Sequence, residues 1–162
     1  MTISVGDSLP AATFITMGAE GPEEVKSTDM LAGKTVVLFA VPGAFTPTCT
    51  SAHMPSFIRT ADKLREKGVD EIACVSVNDP FVMKAWSDAT GAEGAGIKVL
   101  ADPQSEFTKG IGMDFTAPPV GLIARSQRYA MVVKDGKVTA LNVEESPGVC
   151  ELSAGEALLD QL

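Results

Sequence analysis

Residues 35–67 read TVVLFAVPGAFTPTCTSAHMPSFIRTADKLREK. Thr35 to Val41 is an unbroken apolar run of strand length, and from Ser51 to Lys67 the residues Met54, Phe57, Ile58, Ala61 and Leu64 recur at helical spacing. Pro42, Gly43 and Pro47 mark the turn between them. Cys49 therefore stands at a strand-to-helix turn, near the first helical turn. Unpaired backbone N–H groups and the helix dipole there favour a thiolate over a thiol. The ordinary fate of a free cysteine is to be a small buried hydrophobe. The proline- and glycine-rich turn argues against that fate, because such a loop is expected near the surface.

Working outward, strand and helix signals alternate. Glu71 to Val77 reads as a buried strand, and Asp79-Pro80 starts a helix running to about Ala89, aspartate suiting the cap and proline the first turn. Ile97 to Leu100 is a short strand and Ser105 to Gly110 a short helix. Asp135-Gly136, between Arg128–Val133 and Lys137–Val143, is the strongest hairpin signal. Gly18, Gly21 and Pro22 place an early hairpin within residues 2–30, and Ser153 is positioned to cap a final helix ending at Leu162. The expectation is an α/β domain over residues 1–162, with a central mixed sheet flanked by helices. Pro55 conflicts locally with its helix, since an interior proline costs about 3 kcal/mol. Two outcomes fit: a kink packed against the core, or a first turn only weakly tied to the rest.

Composition narrows the function classes. The chain has 162 residues, 45 % of them hydrophobic, and no apolar run of membrane-spanning length. Its net charge of −8 disfavours nucleic acid and anionic membrane as partners. The first ten residues lack the pattern of a signal peptide, and three unpaired-looking cysteines fit a reducing cytoplasm better than a disulfide framework.

The motif Pro42-x-x-x-Thr46-x-x-Cys49 sharpens the reading. A thioredoxin-type exchanger would carry a cysteine where Thr46 stands; a hydroxyl there can instead hold a small polar substrate beside the sulfur. The motif, the longer string VPGAFTPTCTSAHMPSF, and the segments 75–86 and 125–138 resemble the peroxiredoxins, of the type II or peroxiredoxin-5-like branch. The resemblance covers essentially the whole chain. It implies a thioredoxin-like fold and a thiol peroxidase acting on hydrogen peroxide and small alkyl hydroperoxides through a sulfenic acid at Cys49, with no metal, haem or flavin cofactor. The alternative from another class is a peroxide sensor that relays oxidation to a partner protein.

That chemistry asks for an ionised sulfur, donors that orient the peroxide, and a fixed positive charge. Cys49 and Thr46 supply the first two. Arg128 is favoured for the third over Arg125, because it opens a strand and matches the family's active-site arginine, whereas Arg125 reads as a solvated charge at a loop end. Pro42 is expected to shield the sulfur. Phe45 either walls the pocket or simply packs, and Trp86 is core or pocket rim. His53 is expected to support the site rather than act as a base. Three scattered cysteines and one histidine lack zinc-ligand spacing.

For the second half of the cycle, Cys74 reads as an inert strand residue, whereas Cys150, in a turn-rich stretch, should be exposed and mobile. The family resemblance leaves both open as resolving residues. The expected reductant is glutathione or glutaredoxin, with thioredoxin acting on a Cys49–Cys150 disulfide as the close second. By analogy with the family, the chain is expected to form a homodimer.

Overall fold

The computed structural model describes residues 2–162. Strands β1 (Thr13–Gly18) and β2 (Gly21–Lys26) form the early hairpin and lead into helix α1 (Ser27–Leu31). Then follow β3 (Thr35–Ala40), α2 (Met54–Glu66), β4 (Glu71–Ser76), α3 (Pro80–Thr90), β5 (Ile97–Ala101) and α4 (Glu106–Gly110). The last third contains β6 (Asp114–Ala117), β7 (Leu122–Ser126), β8 (Tyr129–Lys134), β9 (Lys137–Val143) and α5 (Gly155–Leu159). Seven strands form one mixed sheet in the order β2-β1-β5-β4-β3-β8-β9, with β3, β4 and β5 parallel.

Both faces of the sheet are covered. Along β3, Val37 and Phe39, followed by Val41, pack with Phe57 and Leu64 of α2, Trp86 of α3 and Leu158 of α5. Val36, Leu38 and Ala40 face the other way, onto Met30, Leu31 and Phe107. A sheet buried on both sides wants apolar residues at every position, which is why β3, β4 and β8 read as continuous apolar runs. Asp79 caps α3 as expected, its Oδ1 accepting from Val82 N–H at 2.8 Å.

Two expectations are corrected. The final helix is only Gly155–Leu159, and Ser153 does not cap it: the Ser153 hydroxyl donates to Glu144 Oε2 at 2.6 Å. Residues 114–126, unassigned in the sequence, form a separate two-stranded sheet, β6 with β7, joined through a tight turn at Pro118–Val120.

The conflict at Pro55 resolves as a wide helical turn. Across Cys49–His53 the chain takes a π-helical turn, and Met54 N–H bonds the Cys49 carbonyl five residues back. Proline has no N–H to give and its ring would press on the carbonyl four residues back. The extra residue in the turn places Pro55 in the opening turn of α2, where no intrahelical N–H is required. Such turns frequently mark functional sites.

Candidate active site

Cys49 leaves the C-terminal end of β3 through the 42–48 loop and enters the wide turn that precedes α2. The backbone runs near the surface, with Phe45 54 % exposed, but the sulfur does not. Cys49 is fully buried among Val37, Phe39, Val41 and Met54. The expectation of an exposed nucleophile is corrected: the first helical turn aims its side chain at the sheet.

What distinguishes this sulfur is its polar contacts. Thr46 Oγ1 lies 2.7 Å from Cys49 Sγ and 2.7 Å from the Gly43 carbonyl oxygen. Its single proton can go to only one of them at a time. A Thr46 that donates to the carbonyl offers a lone pair beside the sulfur, and one turned to the sulfur stabilises negative charge there. Arg128, one residue ahead of β8 and 2 % exposed, donates from Nη2 to Cys49 Sγ at 3.1 Å. The same Nη2 and Nε donate to the Pro147 carbonyl at 2.9 and 3.1 Å, while Nη1 lies 3.0 Å from His53 Nδ1.

His53 is fully buried and bonds Arg128 and Ser153 rather than the sulfur. A guanidinium only donates and a carbonyl only accepts. The Nδ1 atom therefore carries the lone pair toward Arg128, and Nε2–H donates to the Ser153 carbonyl at 3.0 Å. Burial, and then the charge of Arg128, hold His53 neutral down to about pH 3. Such an imidazole is a permanent acceptor for the arginine.

The remaining candidates fall around this centre. Pro42 is buried, and its carbonyl accepts from Arg125 Nη1 at 3.3 Å. Arg125 is thus not a solvated loop charge: it lies half-buried in β7, braced on the loop, and a Cβ on Gly43 would come within 2.8 Å of its Nη1. Phe45 lies outside the buried core, more than half exposed on a backbone with φ of 65°. Trp86 is core, its Nε1 donating to Thr50 Oγ1 at 3.1 Å.

Cys74 sits in β4 with its thiol pushed well up by burial and by nearby Cys49. Cys150 is half-buried rather than exposed, and its loop is fastened by Arg128, Thr48 and Glu144 rather than loose. Burial raises its thiol too, although Ser153 and Arg128 pull the other way. A cavity of about 510 Å³ lined by residues of β1, β2, β5 and α3 touches none of these residues.

The arrangement supplies a nucleophile, an adaptable hydroxyl and a fixed cation around one sulfur. A Redoxin family model matches residues 4–159. Over 161 residues the chain is 45 % identical to peroxiredoxin-2B of Arabidopsis thaliana, covering 99 % of this chain and 98 % of that protein. This chain belongs to the peroxiredoxins. It is 48 % identical over 161 residues to the chloroplastic peroxiredoxin-2E-2 of Oryza sativa subsp. japonica, covering 97 % of this chain and 72 % of the relative. Among solved structures it is similar to reduced Prx3 from Vibrio vulnificus in complex with hydrogen peroxide, with a TM-score of 0.92, 48 % identity, and 99 % and 96 % of the two chains covered. Peroxiredoxin 5 from Alvinella pompejana superposes with a TM-score of 0.84 at 34 % identity, covering 97 % and 96 %. A peroxiredoxin is a thiol peroxidase on a thioredoxin-like fold, and so is this chain.

In this peroxiredoxin, sequence reasoning missed several supports of the site. Asn78, just after β4, accepts from Ala44 N–H at 3.0 Å and from the Ser76 hydroxyl, tying the 42–46 loop to the next strand. A polar residue directly after a buried strand was the available signal. The carbonyls of Pro147 and Ser153 had no signal, because a backbone oxygen has no residue type, and Glu144 had none because its carboxylate bonds the N–H groups of an irregular loop.

Proposed function

We propose that Cys49 is the attacking residue of this peroxidase, with Thr46 and Arg128 as its partners and Pro42 as the shield that holds the loop. The observation that carries the assignment is one sulfur held 2.7 Å from a hydroxyl and 3.1 Å from a guanidinium nitrogen. The substrates are hydrogen peroxide and small alkyl hydroperoxides, a reading supported by the hydrogen peroxide complex of the Vibrio relative. The thiolate attacks the terminal oxygen, the O–O bond breaks, and the product is Cys49 sulfenic acid. The departing alkoxide or hydroxide takes up a proton and leaves as alcohol or water. Thr46, donating to the Gly43 carbonyl, accepts the peroxide O–H, and Arg128 stabilises the charge as it moves from sulfur to oxygen.

Glutathione or glutaredoxin then reduces the sulfenic acid. Support comes from the state of the other thiols: Cys74 is sealed in the core and Cys150 is held in a fastened loop. A reducing compartment such as the cytoplasm, consistent with three free cysteines, is the setting we propose. Exposed apolar side chains, Phe45 in the 42–46 loop and Phe81, Val120 and Ile123 elsewhere, support a homodimer, which sedimentation would report as a doubled mass. The deciding experiment treats the protein with peroxide without added thiol, then maps it unreduced by mass spectrometry. A Cys49–Cys150 crosslink would overturn external reduction and favour thioredoxin. An uncrosslinked Cys49 sulfenic acid that glutathione and glutaredoxin turn over is the expected result.

A further inference from the structure

We propose that Glu144 is a positioning residue for the peroxidase reaction: its carboxylate closes the loop 144–153, so that three carbonyl oxygens of that loop hold Arg128, Thr48 and His53 around Cys49. The inference rests on the Cys49 and Arg128 assignments above. Glu144 follows β9 directly and is 6 % exposed. A carboxylate is expensive to bury unless its oxygens are satisfied. Here Oε2 accepts from Glu151 N–H at 2.8 Å, Ser153 N–H at 2.7 Å and the Ser153 hydroxyl at 2.6 Å, and Oε1 accepts from Leu152 N–H at 3.3 Å. Burial pushes this carboxyl up, but the hydrogen bonds from Ser153, Glu151 and Leu152 outweigh it and hold the group below the usual carboxylate range. The site is built for a negative charge.

Every donor comes from seven to nine residues later in the chain, so the segment between is drawn into a ring. The base of the ring is tied to the site as well, Glu144 N–H donating to the Arg128 carbonyl at 3.0 Å. Among the described residues no strand or helix pairs with residues 145–152 to set the direction of their carbonyls. Yet Pro147 O receives Arg128 Nε and Nη2, Gly148 O receives the Thr48 hydroxyl at 3.1 Å, and Ser153 O receives His53 Nε2–H. Pro147 O holds one edge of the guanidinium and His53 Nδ1, itself held by Ser153 O, takes Nη1. With those two acceptors in place, the second Nη2 proton points at Cys49 Sγ. Losing the carboxylate frees the ring, and the acceptors that aim Arg128 go with it.

The test compares wild type with Glu144→Gln and Ser153→Ala, using Glu145→Gln as control because Glu145 is exposed and makes none of these bonds. Two rates are read at neutral pH: iodoacetamide alkylation of Cys49, with adducts located by peptide mass spectrometry, and single-turnover sulfenic acid formation. Circular dichroism establishes that each variant is folded at the assay temperature. Glu144→Gln should slow both rates about ten- to a hundredfold, the range expected when a reacting group is misplaced from a distance. Ser153→Ala should move both the same way by less, and Glu145→Gln should leave them alone. Because Glu144 acts through Arg128, adding Glu144→Gln to Arg128→Ala should cause little further loss. A folded Glu144→Gln with unchanged rates, or a loss fully additive with that of Arg128→Ala, overturns the proposal. If Glu144→Gln is unfolded, Ser153→Ala decides by the same criteria. A wild type that alkylates at Cys49 but leaves peroxide intact would sink the Cys49 assignment, while the alkylation rates still judge Glu144.

Discussion

Cys49 and Cys74 share one hydrophobic cluster, both fully buried, yet they present different chemistry. The Cys74 sulfur hangs from a central strand between Phe39 of β3 and Val99 of β5, and no described side chain hydrogen-bonds to it. Cys49, one layer away, has a hydroxyl and a guanidinium within hydrogen-bonding distance. Burial therefore does not separate the thiol we propose as the attacking group from the one in the strand. The helix start and the polar groups converging on Cys49 do, since only that sulfur has a hydroxyl and a guanidinium within hydrogen-bonding distance.

The sharpest way to break this contrast is to exchange the two sulfurs for oxygen. Cys49→Ser should abolish peroxide consumption in a coupled assay. Cys74→Ser should keep most of the activity and lose about 1–3 kcal/mol of stability, because a hydroxyl would be buried without a partner. Comparable activity losses in both variants would erase the distinction.

The two arginines sharpen the contrast next. Arg128→Ala should slow sulfenic acid formation about a hundred- to a thousandfold, as when a preorganised donor is removed from developing charge. Arg125→Ala loosens only the brace on the Pro42 carbonyl and should cost far less. The reverse order in stopped-flow measurements would show the wrong arginine to have been assigned.

The smallest effect concerns stability, not rate. The folded chain keeps His53 neutral to about pH 3, whereas an unfolded chain protonates it near 6.5. Between those values the unfolded state holds the extra proton, so stability should fall as the pH drops through that window. Glu144, with its carboxyl held low, acts in the same direction at lower pH. Urea melts across pH should show the slope, and His53→Asn, which keeps an acceptor for Arg128, should flatten it. An unaltered slope would assign the acid sensitivity elsewhere.

Much of this was legible in the sequence, for physical reasons. Strands β3, β4 and β8 announce themselves because a doubly covered sheet leaves few positions for a polar residue. Asp79-Pro80 and Asp135-Gly136 are local rules obeyed locally. The β6–β7 hairpin escaped notice because its strands are short, half-exposed and interrupted by Pro118 and Pro119. At the site, Thr46, Cys49 and Arg128 were named in advance, and the structure brings all three together. The depth of Cys49, the brace from Arg125 and the fastening of Cys150 were misjudged. The Arg125 brace, the Arg128 contact to Cys49 and the Thr48 tie to the Cys150 loop join segments roughly eighty to a hundred residues apart, and the Glu144 ties close an irregular loop, so no local pattern encodes them.

The wide turn at Cys49–His53 has a geometric consequence. A regular helix advances about 100° per residue, so one surplus residue offsets everything upstream by that angle relative to α2. Met54, Phe57, Ala61 and Leu64 keep their grip on the sheet while the residues before them are indexed separately. The end of this helix that carries Cys49 can thus be dialled to its own bearing, without asking the hydrophobic stripe below to rotate with it.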